Sequence, residues 1–577
     1  MADATSHSIS GGARRPGRRR RLVAVAAATA LLAALGACSD DDKSGAATST
    51  TEAPGDTGTG DAGSGAEVEW DAPTCDQRAT VDDVAVEPVA DVDSDHVITS
   101  FDGTEIRIHW FPVEGSDAEP APTVLMGPGW SLPGDTSVDG APIFGAGSIS
   151  GLHEAGYNVL TWDPRGFGAS GGAAEVNAAD TEGRDVQILL DWVADQPEAL
   201  TDREGDPRVG MIGFSYGGGI QLTVAAIDCR VDALVPGLAW NSLETSLYRA
   251  ETVKAGWASV LVTAAGSGTV DPHVTSAYQA GVTTGTLSAE DETWFIERGP
   301  GDAVSDIEVP TLFVHGTVDT LFTLDEVITN YRNLRDRGVP TAMVWFCGGH
   351  GTCRTADGDT SAAEASTMAW LDRWVKGDES VDTGERLQIV DQDDTAWVGD
   401  ELPLEADGTL TAQGSGTLAL QEAGGAGPIP APTGGGDVLS GLVVGITPGP
   451  ATNAVDVTVD GPDEAALALG APTLRLRYTG TPGDGPQPTR VFAQLVDDEN
   501  DVVVGNQITP IEVTLDGTTQ ETEVPLETIV QRVEPGDTLT LQLVATTAAY
   551  AVPQLGGEIT FESIEVEVPL VTGLSEG

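Results

Sequence analysis

Residues 209–221 read Val209-Gly-Met-Ile-Gly-Phe-Ser-Tyr-Gly-Gly-Gly-Ile-Gln221. An apolar run leads into a Gly-x-Ser-x-Gly turn and a helix-compatible run follows, which is the strand–turn–helix context of a nucleophile elbow. The turn is so tight that the residues two before and two after the serine must lack bulk, and both are glycine, Gly213 and Gly217. The pattern predicts that the Ser215 hydroxyl stands above a sheet as a nucleophile. The alternative is a glycine-rich turn with a structural serine.

A second glycine-rich loop follows an early apolar run. Pro122-Thr-Val-Leu-Met126 is typical of a short buried strand and leads into Gly127-Pro-Gly-Trp130. A serine that attacks a carbonyl needs two N–H donors for the developing oxyanion, one from the residue after the serine and one from a loop after an early strand. We therefore expect the backbone amides of Tyr216 and Trp130 to form an oxyanion hole. Pro128 has no N–H, so the Trp130 amide is the first choice in this loop and the Gly129 amide the second.

A candidate base for Ser215 lies near the end of the α/β pattern. A serine hydroxyl is a poor nucleophile unless an oriented base takes its proton, and in this topology the partners follow in the order Ser, Asp or Glu, His. His350 lies in Gly348-Gly-His-Gly351, directly after the apolar run 342–346, which we predict to be the last strand of the sheet. The flanking glycines give this loop the freedom to bring the imidazole over Ser215.

The candidate acid lies between the serine and the histidine. Asp319 comes a few residues after the strand-like run 310–316, and its role would be to hold the imidazole in one tautomer. Two other aspartates are weaker rivals. Asp325 starts the next predicted helix, and Asp302 lies in the segment before the strand.

The hydrophobic pattern divides the chain into two folded regions. Strand-like and helical runs alternate from residue 95 to 376, which predicts a mostly parallel sheet covered by helices on both faces. Residues 240–306 break this alternation with helical spacing and several aromatic side chains, and we interpret them as a cap over the site. Strand-like runs between Gly-, Pro- and Asp-rich turns then recur, as in a β-sandwich or jelly roll. We predict an α/β domain over 67–383 and an all-β domain over 384–577.

The N-terminus has the features of an export signal. Residues 1–37 contain an arginine-rich segment followed by an uncharged apolar stretch that is shorter than a membrane span. Leu35-Gly-Ala-Cys38 is similar to a bacterial lipobox and makes Cys38 the predicted lipidation site; an ordinary signal peptide with a chance cysteine is the alternative. The arginines are compatible with both general secretory and twin-arginine export. Residues 38–66 are rich in small and polar residues and predict a disordered tether. We expect an extracytoplasmic protein, anchored to the membrane by lipid or secreted.

Charge and motif spacing exclude several function classes. The chain has 90 acidic and 28 basic residues and a formal net charge of −62. Such a charge repels phosphate backbones, so nucleic-acid binding is excluded. The Asp-rich turns at 391–394 and 497–501 lack EF-hand spacing and are interpreted as solvated loops. The cysteine spacing does not match a zinc site.

Four cysteines remain besides the lipobox cysteine. An even number in an exported protein suggests disulfides, and three connectivities are possible. We favour Cys347–Cys353, because the two are close in sequence, together with Cys75–Cys229. The first bridge would bracket His350 and restrain its loop.

Taken in order, these motifs resemble the α/β-hydrolase superfamily and, within it, the family of Xaa-Pro dipeptidyl-peptidases and cocaine-esterase-like (CocE/NonD) hydrolases. The likeness rests on two motifs, Gly213-Phe-Ser-Tyr-Gly-Gly218 and Asp163-Pro-Arg-Gly-Phe-Gly-Ala-Ser-Gly171. It rests also on the cap, on Asp319 and His350, and on the C-terminal β-domain. It implies that Ser215, Asp319 and His350 form a catalytic triad and that the jelly roll helps to wall the active site. Family members often supply an oxyanion donor from a tyrosine hydroxyl in the early loop, where this chain has Trp130.

The expected function is that of an exported serine hydrolase. It would cleave an ester or amide bond of a small ester or short peptide through an acyl-enzyme on Ser215, with no metal or organic cofactor. Activity should fall on the acid side as the histidine base takes up a proton. The rival hypothesis is a lipid-anchored ligand-binding lipoprotein with an inactive hydrolase body. Labelling with a fluorophosphonate probe separates the two.

Overall fold

The sheet that carries Ser215 lies at the centre of an α/β region. The computed structural model describes residues 85–90, 92–140, 147–356, 358–403, 405–429, 438–483 and 487–577. All of them fall within one compact unit, Val68–Gly577. The predicted signal peptide, the predicted lipidation site Cys38, the predicted tether and Cys75 lie outside the described residues, so what the sequence indicates about them stays a prediction.

Strands and helices alternate through the first part of this region. Its elements are β1 (Val86–Pro88), β2 (Asp95–Thr99), β3 (Glu105–Phe111), β4 (Thr123–Gly127), α1 (Ile149–Glu154), β5 (Asn158–Trp162), α2 (Glu182–Ala194), β6 (Thr201–Arg203), β7 (Asp206–Pro207), β8 (Val209–Phe214), α3 (Tyr216–Ile227) and β9 (Val231–Gly237).

Helices alone follow β9 before the sheet resumes. They are α4 (Leu243–Leu247), α5 (Ala255–Ala264), α6 (Pro272–Thr284) and α7 (Ala289–Ile296), with 3-10 turns at Arg249–Glu251, Ala265–Ser267 and Gly301–Asp306. The sheet then continues with β10 (Thr311–Gly316), α8 (Leu324–Asp336), β11 (Thr341–Phe346), α9 (Ser361–Trp374), β12 (Leu387–Val390) and β13 (Ala396–Gly399). We call the helical insertion between β9 and β10 the cap. Among the described residues, no helix is both long enough and apolar enough to cross a bilayer.

The C-terminal region is built from antiparallel strands. Its elements are β14 (Gly408–Ala419), α10 (Val438–Ile446), β15 (Ala454–Asp460), β16 (Ala466–Gly470), β17 (Thr473–Pro482), β18 (Gln487–Asp497), β19 (Val502–Val503), a 3-10 turn (Val504–Asn506), β20 (Thr509–Leu515), β21 (Thr519–Pro525), β22 (Ile529–Val533), β23 (Thr538–Val544), β24 (Gly557–Val571) and β25 (Ser575–Glu576). Two sheets form, one with β21, β17, β24, β16, β22 and β14, the other with β15, β23, β18, β19 and β20. Along β15 buried valines alternate with exposed polar residues, because one face of the strand packs into the space between the sheets. We call this region the β-sandwich.

The order of the central sheet brings three loops to one edge. Within the part of the chain that the structure describes, its strands run β1-β2-β3-β5-β4-β8-β9-β10-β11-β12-β13-β25. The seven strands from β5 to β12 in this order pair in parallel with one another, whereas β3 and β13 flank them in antiparallel pairing. The loops after β8, β10 and β11 carry Ser215, Asp319 and His350, so they emerge together at the carboxyl edge, where open α/β sheets place their ligands.

The end of the sheet differs from the sequence-based prediction. The run 342–346 was expected to be the last strand, with the all-β domain starting at residue 384. Instead β12 pairs in parallel with β11, and β13 and the C-terminal β25 extend the same sheet. A four-residue strand such as Leu387–Val390 has the same alternating pattern in either region, so only its pairing partner shows where it belongs. Side chains of the sandwich, including Leu467 and Val530, complete the apolar core on that side.

Asp232 occupies an irregularity beside the elbow strand. Val209 pairs with Val231 and Gly210 with Ala233, which leaves Asp232 as an extra residue. Its Oδ2 accepts a hydrogen bond of 2.7 Å from the Val209 N–H. Burial raises the pKa of this carboxyl to about 8, and nearby aspartates add to the effect.

We expect Asp232→Asn to remove a pH-dependent destabilisation. The unfolded chain releases this proton near the ordinary aspartate pKa, whereas the folded protein holds it up to about pH 8. The contribution of the Asp232 carboxyl to the free energy of unfolding is therefore greatest at low pH. It falls as the pH rises through that window, by about 1.4 kcal/mol per pH unit at most. Asparagine keeps the acceptor for Val209 but has no proton to lose. Urea unfolding should show the stability advantage of the variant growing from pH 5 to pH 8. Parallel pH profiles for variant and wild type would contradict this account, and Asp117→Asn, at an exposed site outside this group of aspartates, is the control.

Candidate active site

Ser215 sits in a strained turn between β8 and α3. Its backbone has φ 58° and ψ −116°, a conformation that costs a non-glycine residue on the order of 1–3 kcal/mol. Its N–H donates to the Gly237 carbonyl at 2.9 Å, which ties the turn to β9. A Cβ on Gly217 would lie 2.1 Å from the Gly127 oxygen, and one on Gly213 would lie 2.6 Å from the same atom. The two glycines are thus required by the close approach of the early loop, and the serine is presented as an elbow.

Asp319 and His350 meet at the same edge of the sheet. The buried Asp319 accepts at Oδ2 from His350 Nδ1 at 2.7 Å and from the His350 backbone N–H at 3.0 Å. Its Oδ1 accepts from the amides of Leu321 and Phe322 at 2.9 and 2.8 Å. Burial alone would raise the pKa of Asp319, but the charge and the hydrogen bonds of His350 outweigh it and hold that pKa below the ordinary aspartate value. The ionised carboxylate fixes the Nδ1–H tautomer, which leaves Nε2 as the basic atom.

Aromatic rings confine the imidazole. Phe322 and Trp257 approach His350 edge-on, with ring centroids 5.2 and 5.7 Å away. The side chain of His350 keeps 15% of its surface exposed. The base is thus oriented on one side by a carboxylate and on others by aromatic rings, while part of the imidazole stays accessible.

The loop with the acid is held by residues from the cap and from the β-sandwich. Gln507 of the sandwich donates from Nε2 to the Asp319 carbonyl at 2.7 Å. From the cap, Trp257 donates to the Thr320 hydroxyl and Lys254 to the Leu321 carbonyl, each at 3.0 Å. Burial lowers the pKa of Lys254. The sequence analysis missed these positioning residues, because nothing in their local pattern shows that they pack against a loop at residues 319–321.

The base-bearing loop has a second restraint. Cys347 and Cys353 form a disulfide, as predicted, with a Cα–Cα distance of 5.5 Å. Asn506 of the sandwich donates to the Thr352 carbonyl at 3.1 Å. The other predicted bridge, Cys75–Cys229, stays a prediction because Cys75 lies outside the described residues.

Opening the Cys347–Cys353 bridge should lower activity without unfolding the protein. A seven-residue loop of this kind contributes about 2 kcal/mol through loop entropy, a fraction of the stability of a chain this size. We expect Cys347→Ser/Cys353→Ser to lose activity several-fold while its circular dichroism spectrum stays native. Reductant should slow wild type to the same level and leave the double variant unchanged. A fully reduced wild type that kept full activity would contradict this role.

The residues predicted to form the oxyanion hole lie beside the serine. Tyr216 is the first residue of α3, where backbone N–H groups have no partner within the helix. Its hydroxyl donates to Glu182 at 3.0 Å, and burial raises the pKa of Glu182 to about 7. The Trp130 indole N–H donates to the Leu261 carbonyl of the cap at 2.9 Å, and its ring lies 5.1 Å from that of Tyr216. The indole N–H of Trp130 is therefore already used, and the backbone amide is the group of this residue left to act as the predicted oxyanion donor.

The rival acids lie elsewhere. Asp325 accepts from the Thr528 hydroxyl and pairs with Arg249 at 3.4 Å, so it joins α8, the cap and the sandwich. Asp302 is exposed in a 3-10 turn. In the 163–171 loop Arg165 makes a two-pronged ion pair with the buried Asp185, which is a structural role. No group of three or more His, Cys, Asp or Glu among the described residues is arranged to hold a metal ion.

Ser215 lines a cavity beneath the cap, where the space among the lining residues, open solvent included, amounts to about 910 Å³. Trp130, Tyr216 and Phe322 line it near the serine, and side chains of α4 to α7 line the rest. The elbow, the Asp–His pair and the cavity thus share one edge of the sheet.

Comparisons with known proteins agree with this architecture. Residues 102–352 match the sequence model of the X-Pro dipeptidyl-peptidase family (S15 family). The chain is 28% identical over 144 residues to the polyketide transferase grgF of Penicillium sp, covering 25% of this chain and 43% of that protein. It is 32% identical over 168 residues to an uncharacterized 31.7 kDa protein of the traX-finO intergenic region of Escherichia coli, covering 29% of this chain and 56% of that protein. The chain thus spans about half the length of the curated relatives it matches.

Two solved structures share the fold over most of the chain. A CocE/NonD family hydrolase from Staphylococcus aureus superposes with a TM-score of 0.61 at 11% identity, covering 85% of this chain and 94% of that one. An aminopeptidase from a marine sediment Thaumarchaeota archaeon superposes with a TM-score of 0.56 at 14% identity, covering 88% and 99%. The fold class predicted from the sequence, an α/β-hydrolase domain followed by an all-β domain, is therefore confirmed. Within that class, the resemblance to X-Pro dipeptidyl-peptidases is confirmed by the match over residues 102–352, and the likeness to the CocE/NonD hydrolase is one of fold.

Proposed function

We propose that this chain is a serine hydrolase that cleaves an ester or amide bond through an acyl-enzyme on Ser215. One observation carries the proposal: the buried carboxylate of Asp319 holds His350 Nδ1 at 2.7 Å at the sheet edge where Ser215 has its elbow conformation. A carboxylate, an imidazole and a strained serine in this order are the parts that acyl transfer requires. The family match makes hydrolysis the favoured outcome of that chemistry.

The reaction follows from the roles of the three side chains. The Ser215 oxygen bonds to the substrate carbonyl carbon as its proton passes to His350 Nε2, and the carbonyl oxygen becomes an oxyanion facing the Tyr216 and Trp130 amides. The bond to the leaving group breaks as His350 returns that proton to the departing alcohol or amine. Water then repeats the sequence, releases a carboxylic acid and restores the serine.

A fluorophosphonate probe tests this proposal directly. The probe phosphonylates an activated serine, so the folded protein should label and lose activity in step. The ligand-binding alternative, with an inert hydrolase body, predicts a folded protein that does not label. A panel of p-nitrophenyl esters beside Ala-Pro-p-nitroanilide then separates esterase from dipeptidyl-peptidase activity, of which the family description names the second.

We also propose that the protein is exported and anchored through Cys38. The basic segment, the short apolar stretch and Leu35-Gly-Ala-Cys38 support this. The Cys347–Cys353 disulfide suits an oxidising compartment. Cell fractionation should place wild type with membranes and Cys38→Ala outside them; equal partition of both would contradict lipid anchoring.

A further inference from the structure

The cavity beside Ser215 is almost entirely apolar. Its wall includes Leu243 and Leu247 of α4, Leu261 and Val262 of α5, Val274 of α6 and Phe295 of α7. All of these residues belong to the cap. The cap therefore supplies the surface that would contact the part of a substrate extending from the reacting carbonyl group.

Several polar groups of the wall are already used within the protein. The Trp130 indole N–H is bound by the Leu261 carbonyl, and the Tyr216 hydroxyl by Glu182. The Tyr248 hydroxyl is hydrogen-bonded to the backbone of Leu287, which also belongs to the cap. A peptide main chain in this space would find few polar partners on the wall, whereas a hydrocarbon chain needs none.

We propose that this cavity binds an aliphatic acyl chain of medium length, which makes the substrate an ester of a fatty acid. The proposal rests on the proposed serine hydrolase function. The carbonyl lies at Ser215, and the chain extends beneath α4, α5 and α6.

Two carboxylates on the cavity wall favour a different substrate, a short peptide with a free ammonium group. Glu244 of α4 and Glu292 of α7 are half-buried and line the same cavity. A free ammonium group of a short peptide would pair with them, whereas an alkyl chain makes no use of their charge. Their replacement therefore distinguishes the two substrates.

The first test is a series of p-nitrophenyl esters from acetate to dodecanoate. Each methylene buried in an apolar site contributes about 0.8 kcal/mol, which corresponds to about fourfold in kcat/KM. We expect kcat/KM to rise with chain length up to the medium-chain esters and then to level off. Hydrolysis of the acetate with no rise along the series would overturn the acyl-chain proposal and leave the serine hydrolase intact. A wild type that neither labels with fluorophosphonate nor hydrolyses any ester would overturn both.

The second test changes the cavity itself. Ala258 is a half-buried residue of α5 on its wall. Ala258→Phe should lower kcat/KM for octanoate at least tenfold and leave acetate within about threefold, because only the longer chain reaches the added ring. Leu247→Ala, which enlarges the cavity, should move the preferred ester to a longer chain. Equal losses on acetate and octanoate in both variants would contradict the assignment.

The third test uses the carboxylates. Under the acyl-chain proposal, the ratio of kcat/KM for octanoate to that for Ala-Pro-p-nitroanilide should be the same in Glu244→Gln/Glu292→Gln as in wild type, because neither substrate depends on these two charges. If Ala-Pro-p-nitroanilide is instead the better wild-type substrate and its rate falls in this variant, the cavity takes a peptide amine and the acyl-chain proposal fails.

Discussion

Ser215→Ala is expected to abolish fluorophosphonate labelling and to lower kcat for ester hydrolysis by at least about 10³-fold. Alanine removes the only atom that can form the acyl-enzyme, while Asp319, His350 and the backbone amides remain in place. KM should change little, because the cavity is untouched. The variant should also unfold near the temperature of wild type, because alanine keeps the Cβ and leaves the strained turn with φ 58° unchanged.

Ser259→Ala is the matched control for this result. Ser259 lies on α5, where its hydroxyl donates to the Ala255 carbonyl of the same helix. The control variant should label and turn over as wild type does. If Ser215→Ala kept more than a tenth of the activity with a native fold, the nucleophile would have to be another residue and the proposed mechanism would be wrong.

Asp319→Asn should lower kcat by about 10⁴-fold while the protein still folds. The carboxylate oxygen at 2.7 Å from His350 Nδ1 is an acceptor only, and it sets the tautomer that leaves Nε2 free to take the serine proton. An asparagine can turn its NH₂ group toward that nitrogen and favour the opposite tautomer. Labelling by the fluorophosphonate should slow in parallel with ester hydrolysis, because both reactions need the same proton transfer.

The exposed rival Asp302 provides the comparison. Asp302→Asn makes the same chemical change on the exit from the cap, and its kcat should stay within twofold of wild type. A similar loss in both variants would mean that charge in general, rather than the Asp319–His350 contact, controls the rate. Native thermal unfolding of Asp319→Asn is required as well, because this side chain also accepts from the amides of Leu321 and Phe322.

Local sequence patterns predict the elbow and the order of the site residues well, for a steric and a topological reason. The turn at Ser215 accepts only glycine at positions 213 and 217, since a Cβ at either would clash with the Gly127 carbonyl. Parallel strands end at one edge, so an aspartate and a histidine that follow β10 and β11 arrive near the loop after β8. The contact between Asp319 and His350 follows from that topology, and the catalytic roles of the three residues stay predictions until they are measured.

Long-range contacts were not predictable in the same way. Gln507 contacts the Asp319 carbonyl across 188 residues of sequence, and no periodicity marks it as different from other polar residues of a sandwich. The sequence also did not predict that β12, β13 and β25 belong to the central sheet. The reason is related, because the residues of a short strand do not show which strand it pairs with. The cap residues were predicted to be helical, yet which of them line the cavity depends on how α4 to α7 pack.

The amino-acid sequence by itself determined the class of fold, the strained serine and the order in which an acid and a base follow it, because these depend on local sterics and on the rhythm of strands and helices. Only the tertiary structure decided that the sandwich and the cap hold the acid-bearing loop, and that an apolar cavity opens beside Ser215. The reason is physical: hydrogen bonds and packing between segments hundreds of residues apart depend on shape in three dimensions, and no local pattern encodes that shape.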